Sequence, residues 1–171
     1  MQPLTSIHNT TVNAVVPTHT PSPHLVQLYF EDAQAIAHEL GAGLLAPQAH
    51  VSPKYFYDAL GSRLFEAITE LPEYYPTRTE AAIFKAYCGE MARAVGQGGT
   101  LIDLGAGNCE KAASLFAAFA PAQYVPVDIS VEFLRNAVAG LQRRFPALDM
   151  LGVGVDFSQT LELPTAVRSE S

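Results

Sequence analysis

From Leu25 onward, apolar residues recur at spacings near three and four: Leu28, Ala33, Ile36, Ala37 and Leu40, with Gly41 where a left-handed stop belongs. This spacing predicts a short amphipathic helix. Ahead of it, residues 1–24 are rich in Thr, Ser, Asn and Pro and hold no sustained period, the pattern of a mobile leader. After an aromatic string at 52–58, Leu64, Phe65 and Ile68 restore helical spacing until Leu71-Pro72 interrupts it. Thr77 and Glu80 stand at capping-box spacing. Behind them Ile83, Phe84, Tyr87, Met91, Ala94 and Val95 mark one apolar face that ends at Gly96 and the turn Gly98-Gly99. Residues 25–97 therefore read as a helical region.

The period changes at Thr100. Thr100 to Leu104 reads as a buried strand running into Gly105-Ala106-Gly107, and a helix from Glu110 to about Ala120 buries Leu115, Phe116 and Phe119. Tyr124 to Asp128 is a second strand, and Ser130 caps a helix carrying Phe133, Leu134, Ala137, Val138 and Leu141. Met150 to Val155 is a third strand. Strand and helix alternation over 98–171 predicts right-handed crossovers and a parallel, Rossmann-like α/β sheet, with ligand beyond the carboxyl ends of the strands. Leu161 to Ser171 is too short to supply further units. The expectation is a truncated chain or an unusually small member of its class, with a sheet edge left open to self-association.

Composition narrows the partners. With 49% apolar and 16% charged residues the 171-residue chain is suited to fold in water, and no window approaches 18 uninterrupted apolar residues. The N-terminus lacks the basic-then-apolar order of a signal peptide, so a cytoplasmic location is expected. A net charge of −7 without a basic patch argues against nucleic acid and for a small-molecule ligand. Cys88 and Cys109 lack metal-ligand spacing, so the expectation is free thiols, no disulfide and no metal.

The chemistry concentrates in Asp103-Leu-Gly105-Ala-Gly107-Asn-Cys-Glu110-Lys111, where a strand turns into a helix. Glycine admits a ligand close to the backbone, but Glu110 occupies the third glycine position of the dinucleotide fingerprint and argues against a pyrophosphate. Asp128 closes the second strand, twenty-one residues past Gly107, where a carboxylate accepts from both hydroxyls of a ribose; its alternative role is to cap a helix. Asp156-Phe157 closes the third strand, suited to an adenine amino group and its face, or else to a turn plus a core ring. Lys111, a cation near a helix N-terminus, calls for an anionic partner unless it is simply solvated. Cys109 reads as a small filler, since no His adjoins it in sequence to activate it.

Pro53-Lys54-Tyr55-Phe56-Tyr57-Asp58, Gly61-Ser62, Leu64-Phe65 and Leu71 to Glu80 resemble the histidine-specific methyltransferases of ergothioneine biosynthesis. Gly105 to Lys111, Pro126-Val127-Asp128 and Asp156-Phe157 resemble that family's glycine loop and its next two strand ends, so coverage runs from about Leu25 to the C-terminus. The resemblance implies a class I fold and contacts from Gly105, Lys111, Asp128, Asp156 and Phe157 to S-adenosylmethionine. It further implies that Tyr74 contacts the amino-acid substrate and that Tyr57 lines the same cleft. Asn108-Cys109 departs from the family's usual small hydroxyl residues, and the family's C-terminal half, with further histidine-binding groups, has no counterpart here.

The implied reaction is in-line attack of a neutral α-amine on a sulfonium methyl, governed mainly by positioning. Three rivals remain open: a methyltransferase for another amine or amino acid, a non-catalytic cofactor-binding module, and an NAD-dependent enzyme, which Glu110 disfavours.

Overall fold

The computed structural model describes residues 23–158 and 160–169, so the expected leader falls outside the described residues except for Pro23 and His24. Four parallel strands, β1 (His24–Gln27), β2 (Thr100–Leu104), β3 (Gln123–Asp128) and β4 (Asp149–Gly154), form one sheet in the order β1-β4-β3-β2. Among the described residues six α-helices accompany it: α1 (Ala33–Leu44), α2 (Ala59–Thr69), α3 (Tyr75–Val95), α4 (Glu110–Ala113), α5 (Phe116–Phe119) and α6 (Val131–Arg144). A 3₁₀ turn spans Pro53–Phe56.

The three expected strands form, and β1 is a correction. Leu25 and Val26 are not helical; they pair with Gly152 and Val153 of β4. A short apolar run fits either period, and here the partner decides. Gly152 leaves room for Leu25, whose Cδ1 lies 2.7 Å from where a Cβ would stand. Helix α1 starts only after Asp32, whose carboxylate accepts from the backbone N–H of Gln34 and Ala35 at 2.9 and 3.2 Å, and it continues through Gly41. The β4 edge is thus paired; among the described residues the strands with a free outer edge are β1 and β2.

Two helix readings also change. Thr77 and Glu80 form no capping box: α3 begins at Tyr75 with Pro76 in its first turn. The guanidinium of Arg78 donates to the carbonyls of Leu71 and Tyr74 at 2.9 and 3.3 Å and to that of Pro72, tying the preceding loop to the helix. The helix expected over 110–120 is split, because the Ser114 hydroxyl donates to the Lys111 carbonyl at 2.6 Å and Leu115 N–H reaches back only three residues, to Ala112.

Alternation along β3 and β4 builds two cores. On one face Tyr124 and Met150 pack with Phe116, Leu134, Val138 and Leu141. On the other, Val125, Val127, Leu151 and Val153 meet Val26, Phe157, Leu163 and Val167. The segment after β4 therefore covers the sheet, and among its described residues it forms no helix or strand. Arg168 fastens it: its N–H donates to Gln123 Oε1 at 2.8 Å, its guanidinium meets Asp149 at 2.6 Å, and its carbonyl accepts from Thr100 at 2.9 Å. The apolar face expected on α3 stays largely uncovered, with Ile83, Tyr87 and Val95 exposed.

Candidate functional site

Parallel register brings the carboxyl ends of β2, β3 and β4 side by side: Leu104 opposes Val127, and Asp128 opposes Gly154. The chain leaves β2 through Gly105 at φ +72° and Gly107 at φ +54°, a conformation that side chains with a Cβ adopt at a cost. Gly105 and Ala106 donate backbone N–H bonds to the Val127 carbonyl at 2.9 and 3.1 Å, so the loop folds back over β3.

Asp128 fixes that loop. One of its oxygens accepts from Gly107 N–H and the other from Ser130 N–H, both at 2.9 Å. Ser130 holds the N-cap position of α6, yet its hydroxyl makes no cap bond; it accepts instead from Ser62 at 3.2 Å. The Asp128 carboxylate therefore orders the glycine turn and the start of α6, while each oxygen keeps a lone pair for a hydroxyl donor.

Beyond these strand ends lies a cavity of about 370 Å³. Gly105, Asp128, Asp156, Phe157 and Tyr57 all line it, together with Lys54, Ser62, Phe65, Ile129 and Phe133. The Phe157 ring stands 3.9 Å from where a Cβ on Gly105 would be. Tyr74 is set one ring back: its ring meets Phe65 edge-on at 5.8 Å, and Phe65 meets Tyr57 at 5.9 Å. Lys111 does not line the cavity; its ammonium lies 3.7 Å from Glu80 of α3.

Asp156 accepts from Ser158 N–H at 3.0 Å on one oxygen and from the Lys54 ammonium at 3.1 Å on the other. Burial raises its pKa, but the Ser158 bonds and the Lys54 charge outweigh that and hold the carboxyl below the usual range. Lys54 also pairs with Glu39 of α1 at 2.9 Å, and that bond, opposed by burial and reinforced by Asp156, keeps the ammonium charged. At the base of the glycine loop Tyr124 donates to Asp103 at 3.0 Å, and burial raises the Asp103 carboxyl. Cys109 is fully buried in a left-handed conformation, and burial pushes its thiol up to about 12, which suits a filler and not a nucleophile.

In the sequence Lys54 stands out only as part of the aromatic string, and Ser62 only beside Gly61 in the stretches that carry the family resemblance. A lone cation inside Pro53-Lys54-Tyr55-Phe56-Tyr57 was the available signal for Lys54. Among the described residues no cluster of His, Cys, Asp or Glu has the arrangement to hold a metal, and no helix is long and apolar enough to cross a membrane.

A family model described as histidine-specific, S-adenosylmethionine-dependent methyltransferase matches residues 36–171. A histidine N-alpha-methyltransferase of Mycolicibacterium smegmatis is 41% identical over 133 residues, which are 75% of this chain and 41% of the relative. The protein of the same name from Mycobacterium tuberculosis is 37% identical over 139 residues, 78% of this chain and 43% of the relative. Ergothioneine biosynthesis protein 1 of Neurospora crassa is 38% identical over 87 residues, 48% of this chain and 10% of the relative. The chain thus spans about two fifths of the length of the two mycobacterial relatives. Its glycine loop, its acidic strand ends and its aromatic string all fall within the matched range, and the chain belongs to the family of histidine-specific, S-adenosylmethionine-dependent methyltransferases.

Proposed function

We propose that this chain forms the cofactor-binding part, and one wall of the substrate cleft, of an enzyme that methylates the α-amino group of histidine. The observation that carries the reading is a cavity at three adjacent strand ends, with two carboxylates, a glycine without a Cβ and an aromatic wall facing one space. Those groups match the parts of S-adenosylmethionine. Asp128 would hold the ribose hydroxyls, Asp156 the adenine amino group and Phe157 the adenine face, with Gly105 admitting the ligand close to the backbone. Lys111 would turn from Glu80 toward the methionyl carboxylate, its side chain being exposed enough to change partner. The cofactor supplies a methyl group on a cationic sulfur, activated for transfer.

The chain's own residues act by placement. Tyr57 and the Phe65-Tyr74 pair wall the side from which an amine would approach, so residues 25–97 are assigned to the substrate and 98–171 to the cofactor. The names of the mycobacterial relatives support histidine, and that of the Neurospora relative supports a place in ergothioneine biosynthesis. The proposed setting is the cytoplasm, where Cys88 and Cys109 stay reduced. Self-association through the outer edge of β2 belongs to the same reading.

Titration calorimetry of the chain with S-adenosylhomocysteine tests the cofactor site. Asp128→Asn should weaken binding by about 1 to 3 kcal/mol, as for loss of a charged acceptor. Unchanged affinity in a folded variant would move the ribose site elsewhere.

A further inference from the structure

We propose that Lys54 is a positioning residue that aims the Asp156 carboxylate at the cofactor's base, and so makes adenine selectivity depend on the docked helical region. The proposal rests on the reading of Asp156 as the adenine contact. Asp156 lies just past the end of β4, in a stretch without regular structure, and a carboxylate there is free to turn about its side-chain bonds unless both oxygens are held. Ser158 N–H holds one oxygen at 3.0 Å and the Lys54 ammonium holds the other at 3.1 Å, across 102 residues of chain.

Lys54 is itself fixed. Its ammonium pairs with Glu39 of α1 at 2.9 Å and lies 5.2 Å from the centre of the Tyr55 ring, and its side chain is only 16% exposed. It comes from the 3₁₀ turn that also delivers Tyr57 to the cavity wall. A single short segment therefore sets one substrate-side ring and the orientation of one cofactor-side carboxylate. Without the ammonium, the half-buried carboxylate loses its counter-charge and one of its two restraints, and is free to turn away from an exocyclic amine.

The base that distinguishes this role from plain packing is hypoxanthine, which carries an oxygen where adenine has its amino group. Affinities of the 171-residue chain for S-adenosylhomocysteine and S-inosylhomocysteine, measured by calorimetry, give the selectivity ratio. Lys54→Met should lower affinity for the adenosyl ligand roughly tenfold and leave the inosyl ligand within about twofold, so the ratio collapses; Lys54→Arg should restore most of it. Equal losses for both ligands, or an unchanged ratio in folded Lys54→Met, would overturn the proposal. Should Lys54→Met not fold, a ratio unchanged in Lys54→Gln would do the same. Asp156→Asn separates the two levels: if it leaves the ratio of the parent chain unchanged, the adenine assignment of Asp156 itself has failed, and not only the role of Lys54.

Discussion

Asp156 combines two opposed influences, and their balance has a measurable consequence. Because its carboxyl sits below the usual range when folded, the folded protein binds that proton less readily than the unfolded chain, whose value is about 3.9. The stabilisation is present above that value and is lost as pH falls through the lower folded one. Urea midpoints should therefore drop between pH 5 and pH 3, and Asp156→Asn should make the drop smaller. Tyr74 offers a second test. Its ring contact with Phe65 survives replacement by Phe, so Tyr74→Phe isolates the hydroxyl. In an enzyme with its histidine site complete, the substitution should weaken histidine binding about tenfold and leave S-adenosylhomocysteine affinity unchanged, as calorimetry would show. Equal loss for both ligands would assign Tyr74 to packing.

At the scale of elements, the position of α6 depends on the absence of a side chain. A Cβ on Gly154 would stand 2.6 Å from one methyl carbon of Val131 and 3.3 Å from the other, and a β-branched residue at a helix start has little freedom to retreat. Gly154→Ala should push the first turn of α6 off β4, costing about 1 to 3 kcal/mol and lowering the melting temperature. The same shift would carry Ser130 and Ile129 away from the cavity, so cofactor affinity should fall with stability. At Gly152 the obstacle is the flexible tip of Leu25, and the same substitution there should cost less.

The whole molecule leaves β2 without an outer neighbour among the described residues, and Ile102 and Leu104 on it are 41% and 48% exposed. Ile83, Tyr87 and Val95 of α3 add apolar surface. An open strand edge beside exposed apolar side chains favours pairing with another chain. Light scattering should give a mass above that of one chain, rising with concentration, and Ile102→Lys should return it to the single-chain value by placing a charge on that edge. A wild-type chain that stays monomeric throughout the concentration range would remove the self-association proposal.

The local pattern determined most of the sheet and the chemistry at its ends. Strands β3 and β4, the left-handed glycines after β2 and the acidic residues closing β3 and β4 were legible because buried parallel strands read as continuous apolar runs and tight turns demand residues such as glycine; β2 forms where its apolar run stands, but as an edge strand it is not buried as that run implied. Tertiary structure decided what depends on distant partners. Leu25 and Val26 became a strand because β4 had an unpaired edge and a glycine to receive them, a fact held 127 residues away from Leu25. Glu80 faces Lys111 instead of capping its own helix, and Lys54 reaches Asp156 at the cavity wall. Such pairings carry no period in the sequence. They follow from which surfaces the packed sheet brings within a few ångströms, where charge and hydrogen bonding outweigh local preference.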